Sequence, residues 1–402
     1  MLKTLKSLRT NENILIAVDA LLHSKSLFLS TFLMTYMIRI SVTDSPDSFV
    51  IFKLVSYILM GVSTIFLLHF IRRHPLAAWR IGTFSAILQI IAVITLHSYT
   101  DIFPFILALI NGVEATLYWR PNIFFSITEV RNDRRLRFES LKRIISAVIK
   151  VISPLVLALF ITNAGYIQTS FVIIVISLVQ FFITILFRPT HEVATRPHQL
   201  RAIWHQFIRH KTLRRRVLLL QFLRGFLISG SAYMLIPIIL VYNNSGSDLD
   251  LGLYTSAGIL LSIAIILIYK QISHSLHRVR LLTSLVMPPA VIIPLALIFH
   301  PSLLLVIAFY IFTVAVIEDF ANVITSVRTM NTIKKHLDGD SYLLEVESIG
   351  EVALCAGRSI SLVAFLVLIT LTGSAYLPHF AAICSLAVIP LAIIALPSPR
   401  KM

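Results

Sequence analysis

Apolar residues along this chain gather in runs long enough to cross a bilayer, separated by short polar stretches. A helical crossing needs roughly 17–25 mostly apolar residues. The pattern predicts twelve such helices, at about 14–41, 49–71, 79–98, 102–126, 141–163, 167–187, 215–242, 251–269, 279–299, 301–326, 346–371 and 376–396. The first run is the least clean: its apolar core is 26–38, and 14–25 reads as amphipathic helix at the inner surface. The longest polar connection falls between the sixth and seventh runs. This division predicts a six-helix bundle over 1–187, a basic linker over 188–214 and a second six-helix bundle over 215–402. Within the linker, LRAIWHQFIRH (200–210) reads as an amphipathic helix suited to an anionic lipid surface.

Charge in the connections then sets topology. One alternate set carries the cations: Lys3, Lys6 and Arg9; Arg72, Arg73 and Arg80; Arg131 to Arg143; Arg188 to Arg216; Lys270, Arg278 and Arg280; Arg328, Lys334 and Lys335; Arg400 and Lys401. The other set, including HSYTD, TNAG, NNSGSDLD and TGSAYLPH, has no Lys or Arg. The positive-inside rule places both termini in the cytoplasm. Arg39 and Lys53 lie near the outer ends of the first two spans and are expected to pair with Asp44 and Asp47.

Composition agrees. The 402 residues are 57% hydrophobic and 13% charged, where soluble domains are about a quarter charged. The net charge of +16 sits between apolar runs, so it marks inner loops and no nucleic-acid partner is expected. Cys355 and Cys384 lie in apolar stretches with neither disulfide nor metal spacing.

The halves repeat. ESLKRIISAVIKVISPLVLALFITNAG from Glu139 aligns without gaps with ESIGEVALCAGRSISLVAFLVLITLTG from Glu347. Lys150 matches Arg358, Ser153 matches Ser361, and Gly165 matches Gly373. Glu114 in the fourth span has an echo in Glu318 of the tenth. Twelve spans, inner termini, a long central loop and a parallel six-plus-six repeat resemble the major facilitator superfamily over the whole chain. Between the second and third spans that family carries a Gly-Asp-Arg-Gly-type signature. Here LLHFIRRHPLAAWRIG keeps its basic character in Arg72, Arg73 and Arg80. Antiporter members carry Gly-Pro in the fifth span, where Ser153-Pro154 stands here. The resemblance implies alternating access, with two bundles rocking about a midplane site.

Charges inside the spans are the candidate chemistry, because an unmatched charge at the bilayer centre costs roughly 2.5–3.5 kcal/mol on insertion scales. Glu114 and Lys150 fall at similar depth, as do Glu318, Asp319 and Arg358. Two symmetry-related acid–base pairs are expected, Glu114–Lys150 and Glu318/Asp319–Arg358. Either they lock helices together or, with Arg224 of the seventh span, they form a substrate and proton site. Asp19, His23 and Ser26 share a face of the first span, and histidine is the side chain that changes charge near neutrality. Lys25 lies off that face and is expected to snorkel. Tyr118 shares the face of Glu114, and Pro121 and Pro154 are candidate hinges.

No Walker loop, HExxH, GxSxG or zinc spacing occurs, so no catalytic residue, metal or cofactor is expected. The expectation is a non-enzymatic secondary transporter of the plasma membrane, proton-coupled, for a small polar, amphipathic or anionic solute. Efflux is favoured by Pro154. The alternatives are a transport-inactive scaffold or sensor of the same fold, and a translocase of lipid or lipid-linked sugar.

Overall fold

The computed structural model describes residues 10–40, 46–96, 102–130, 132–189, 200–228, 231–245, 247–272, 276–322, 325, 329, 332, 343–372 and 376–395. The loop cations Lys3, Lys6, Arg9, Arg328, Lys334, Lys335, Arg400 and Lys401, together with Asp44 and Gly373, lie outside them. Among the described residues all regular structure is helical. Among the described residues, eleven helices are long and apolar enough to cross a membrane. The fourth expected span is also a helix, the 26 residues Phe103–Thr128, but Asn111, Glu114, Arg120 and Asn122 make it the polar member of the set. The chain is therefore an all-α polytopic membrane protein. It divides into two compact units, Met1–His198 and Gln199–Met402.

In the first unit, the first span is one helical run from Thr10 to Ile40 with a π-helical stretch at Phe28–Phe32. The expected amphipathic start does not lie on a surface. Ile14, Leu15, Ile16, Val18 and Leu22 belong to the core with Trp79, Tyr118, Phe125, Phe138 and Phe187. The helix can be buried on several sides because its polar groups find partners inside the unit. Near its start, Asn11 donates to the Glu129 carboxylate at 3.0 Å and to the Arg188 carbonyl at 2.6 Å.

The fourth span packs against the second, Asp47–Phe66, and the third, Pro75–Leu96. Glycines permit that approach. A Cβ on Gly82 would lie 2.7 Å from the Leu117 carbonyl carbon, and one on Gly112 would lie 2.7 Å from Leu59 Cβ. The first span packs on the fifth, Asn132–Ala164, and the sixth, Tyr166–Leu186. These last two join at Gly165, whose φ of 90° suits a residue without Cβ. Only 22% of the apolar window of the fifth span is buried. Ile144, Val148, Ile152, Val156 and Leu159 are exposed along it, a surface for lipid tails rather than water.

In the second unit several spans are interrupted. The seventh comprises a π-helical stretch Arg214–Leu218 and two helices, Leu219–Leu227 and Ala232–Ser245. Ile228, extended at ψ 164°, ends the first of these helices. The eighth span is Asp248–Ile272. The ninth breaks before Pro289, and the tenth turns π-helical over Thr313–Ala321. The eleventh, Leu343–Thr372, is long and unbroken. The twelfth comprises Leu377–Ser385 and Val388–Ala395.

The seventh and eleventh spans meet backbone to backbone. A Cβ on Gly225 would collide with the Leu354 carbonyl oxygen, and one on Gly357 with that of Phe222. The amphipathic stretch of the linker forms the helix Leu200–Arg209. It buries Ile203 and Phe207 against Leu213, Val217, Val346 and Ile349, while Trp204 and Ile208 stay exposed.

The crossing of spans seven and eleven should tolerate no side chain at its centre. Gly225→Ala is expected to lose about 1–3 kcal/mol through overpacking, seen as a lower unfolding midpoint in detergent. Gly350→Ala is the control, because its Cβ would meet the Gln221 side chain at an ordinary 3.7 Å. Equal midpoints for the two variants would contradict the backbone contact.

Candidate functional site

The first span carries the chemistry of the first unit, and it does so on two faces. One face turns to the fourth span. There Lys25 Nζ bonds Glu114 Oε1, and the residues are 2% and 5% exposed. Lys25 therefore does not snorkel to a headgroup. Its stem and ammonium are held inside because a carboxylate on the neighbouring helix meets them. Glu114, expected to face Lys150, is engaged from the first span; Lys150 itself is half-buried on the fifth.

The other face turns to the fifth span and gathers around Asp19, which is 4% exposed. Lys142 Nζ lies 3.3 Å from Asp19 Oδ1. His23 Nε2, one helical turn on, lies 3.5 Å from Oδ2. The Ser146 hydroxyl donates to Oδ2 at 3.3 Å. Of the expected trio, Asp19 and His23 come together, whereas Ser26 is exposed. One residue from His23, the Ser24 hydroxyl meets that of Ser153 at 2.9 Å, beside Pro154. Pro154 and Pro121 both sit inside uninterrupted helices, where each removes one backbone hydrogen bond.

Tyr118 of the fourth span lies in the core beside Ile14, Val18 and Leu22 of the first. Its ring is 1% exposed, and its phenol feels the charges of both Asp19 and Glu114, with Gln180 beside it. Gln180 also donates to the Val18 carbonyl at 3.1 Å. Two ion pairs thus tie the first span to its neighbours, Asp19 with Lys142 of the fifth and Lys25 with Glu114 of the fourth. Arg120, 3% exposed, lies further along the fourth span.

The second unit arranges its charges differently. Glu318 is exposed and Asp319 half-buried on the π-helical stretch of the tenth span. The expected bridge was from these acids to Arg358. Arg358 Nη1 also lies 3.5 Å from Oε1 of Glu351, two turns earlier on the same helix. Arg224 Nη1 donates to Gln221 Oε1 at 3.1 Å. Among the described residues, no group of three or more His, Cys, Asp or Glu is placed to hold a metal.

Sequence reasoning missed Lys142, Ser146, Gln180, Gln221 and Glu351. Lys142 counts among the inner-loop cations in the sequence, whereas the fifth span begins at Asn132 and carries it within the helix. Glu351 carried a signal, since a spacing of seven puts two residues on one helical face. The others are neutral polar residues whose partners are set by packing alone.

The Lys25–Glu114 pair is testable by a mutant cycle. Glu114→Leu alone strands a buried ammonium and is expected to lose about 3–5 kcal/mol. Lys25→Met/Glu114→Leu together should recover most of that loss in the detergent unfolding midpoint. A double variant no more stable than the single would show that the two side chains are not coupled.

No family model matches the sequence, and no curated protein matches it either. Solved structures do match over nearly the full length. A POT family transporter in complex with 5-aminolevulinic acid aligns with a TM-score of 0.65 at 13% identity, covering 99% of each chain. A bacterial metal transporter aligns at 0.59 and 11% identity, over 96% of this chain and 98% of that one. A bacterial homologue of the iron transporter ferroportin, in an outward-facing state with soaked iron, aligns at 0.58 and 14% identity, over 97% and 100%. The helical architecture and these full-length alignments agree: the chain has the fold of the major facilitator superfamily transporters.

Proposed function

We propose that this protein is a proton-coupled secondary transporter, moving a small polar, amphipathic or anionic solute by alternating access, with efflux favoured. It works in the plasma membrane with both termini in the cytoplasm. The observation that carries this reading is the Asp19 cluster. One buried carboxylate is shared by Lys142, His23 and Ser146 of two helices.

Such a cluster suits coupling for an electrostatic reason. While Asp19 is ionised, it holds Lys142 and so holds the fifth span to the first. A proton on Asp19 removes that attraction and leaves Lys142 in need of another anion. Each protonation state then favours a different packing of the first and fifth spans, and a ligand or proton shifts their populations by its differential affinity. Tyr118 and the Lys25–Glu114 pair extend the responsive region to the fourth span. Similar structures of transporters, including one with 5-aminolevulinic acid bound, support a small zwitterion or organic anion as the first solutes to try.

The test is solute-driven proton flux in proteoliposomes, with amino acids, organic anions, sugars, lipophilic cations and divalent metals offered in turn. Wild type is expected to couple at least one solute to proton movement. Asp19→Asn, with an unfolding midpoint near that of wild type, is expected to abolish the coupling. Flux unchanged in Asp19→Asn would make the cluster a helix lock only. Silence with every solute would favour a transport-inactive scaffold or sensor, or a translocase of lipid or lipid-linked sugar.

A further inference from the structure

The glycine crossing of the seventh and eleventh spans fixes two cations beside each other. Arg224 immediately precedes Gly225, and Arg358 immediately follows Gly357. Because the backbones touch at both glycines, neither arginine can withdraw by letting the helices part. Arg224 feels the like charge of Arg358 as well as the charges of Glu351 and Glu347. Two guanidiniums in one region need anions near them, and the resident ones are Glu351 and Glu347, with which a bound anion would compete.

The hydrogen bonds at the crossing leave room for one. Arg224 is only partly buried. Its partner is the neutral Gln221, which rests over Gly350, and its Nε meets no acceptor among the described residues. Arg358 holds Glu351 at 3.5 Å, a long contact for a charged pair.

The break in the seventh span adds donors at the same place. The helix resumes at Ala232, whose N–H donates to Ser361 Oγ at 3.1 Å. Ser361 is three residues beyond Arg358 on the eleventh span, and so shares its face. Just before the restart, the Ser231 hydroxyl is 0% exposed and has no hydrogen-bond partner among the described residues. The start of a half-helix also presents the positive end of its dipole. Two guanidiniums, a buried hydroxyl without a partner and a helix start converge on one crossing.

We propose that this crossing binds the oxyanion of the transported solute, a carboxylate or a phosphate. Arg224 is its main ligand, Arg358 and Ser231 are supporting donors, and Glu351 is the internal carboxylate that holds Arg358 until the solute arrives. The proposal rests on the transport reading for the word solute, and on the seventh and eleventh spans alone for the site.

The experiment is calorimetric titration of the purified full chain in nanodiscs of zwitterionic lipid, with inorganic phosphate and with acetate as probes. At least one is expected to bind saturably to wild type. Arg224→Gln is expected to weaken binding by about 10–100-fold, the range for loss of a charge-assisted hydrogen bond. Arg224→Lys should keep part of the affinity, and Glu351→Gln should raise it by removing the competing carboxylate. Unfolding midpoints recorded for each variant separate lost binding from lost fold.

No saturable binding of either probe to wild type would overturn the proposal. So would binding indifferent to both Arg224→Gln and Glu351→Gln. A parallel series in nanodiscs containing phosphatidylglycerol addresses the other source of such a group. Arg224-dependent stabilisation by that lipid, without binding of either free anion, would assign the crossing to a headgroup and sink the solute assignment. Binding is read here without flux, so intact binding in a protein that moves nothing would refute the transport reading alone. Coupled flux that survives Arg224→Gln unchanged would refute this one alone.

Discussion

Nothing in a hydrocarbon layer can solvate a charge, so every ionised side chain at membrane depth needs a partner within the protein. The Lys25–Glu114 bond is the plainest expression of that constraint here, and much of the first unit is arranged around it. It fastens the first span to the fourth. The fourth span can then carry Glu114 and Arg120 buried, because the second and third spans close over it at Gly112 and Gly82. With one face of the first span so committed, its other face presents Asp19 to the fifth span. Two neighbouring helices thus meet one helix that is polar on both sides.

The fold was legible because hydrophobic run length and loop charge are properties of single segments. Twelve runs, their alternation of cation-rich loops and the parallel repeat survive any error in how helices touch. The site was legible only as an inventory. Glu114, Asp19, His23, Arg224 and Arg358 were all singled out as charges that need an explanation, and the structure gives each of them polar neighbours. Their partners were not legible, because pairing depends on which helix lies alongside. Lys25 looked like a residue reaching for headgroups, and only the packing of the fourth span on the first makes it a buried cation. Lys142 and Glu351 lay near the inner ends of their expected spans, at 141–163 and 346–371, away from the mid-span charges that drew attention.

The repeat set one expectation for both halves. The alignment of Lys150 with Arg358 and of Glu114 with Glu318 implied that both halves solve the same electrostatic problem alike. The first unit joins charges across helices, Lys25 to Glu114 and Lys142 to Asp19. The second joins Arg358 to Glu351 within one helix and leaves Glu318 exposed on a π-helical stretch. Symmetry marks where polar groups sit, while each contact is set by local packing.

The polar character of Phe103–Thr128 reaches back to how the protein is made. A charged residue near the centre of a span opposes entry into the bilayer by roughly 2.5–3.5 kcal/mol, and this helix carries both Glu114 and Arg120. As a solitary segment leaving the ribosome it partitions weakly into lipid. The first span, already synthesised, holds the ammonium that Glu114 requires, and the second and third offer the close glycine contacts. The order of the chain thus supplies a docking surface before the segment that depends on it emerges, and biogenesis of the amino-terminal bundle is cooperative across its first four crossings.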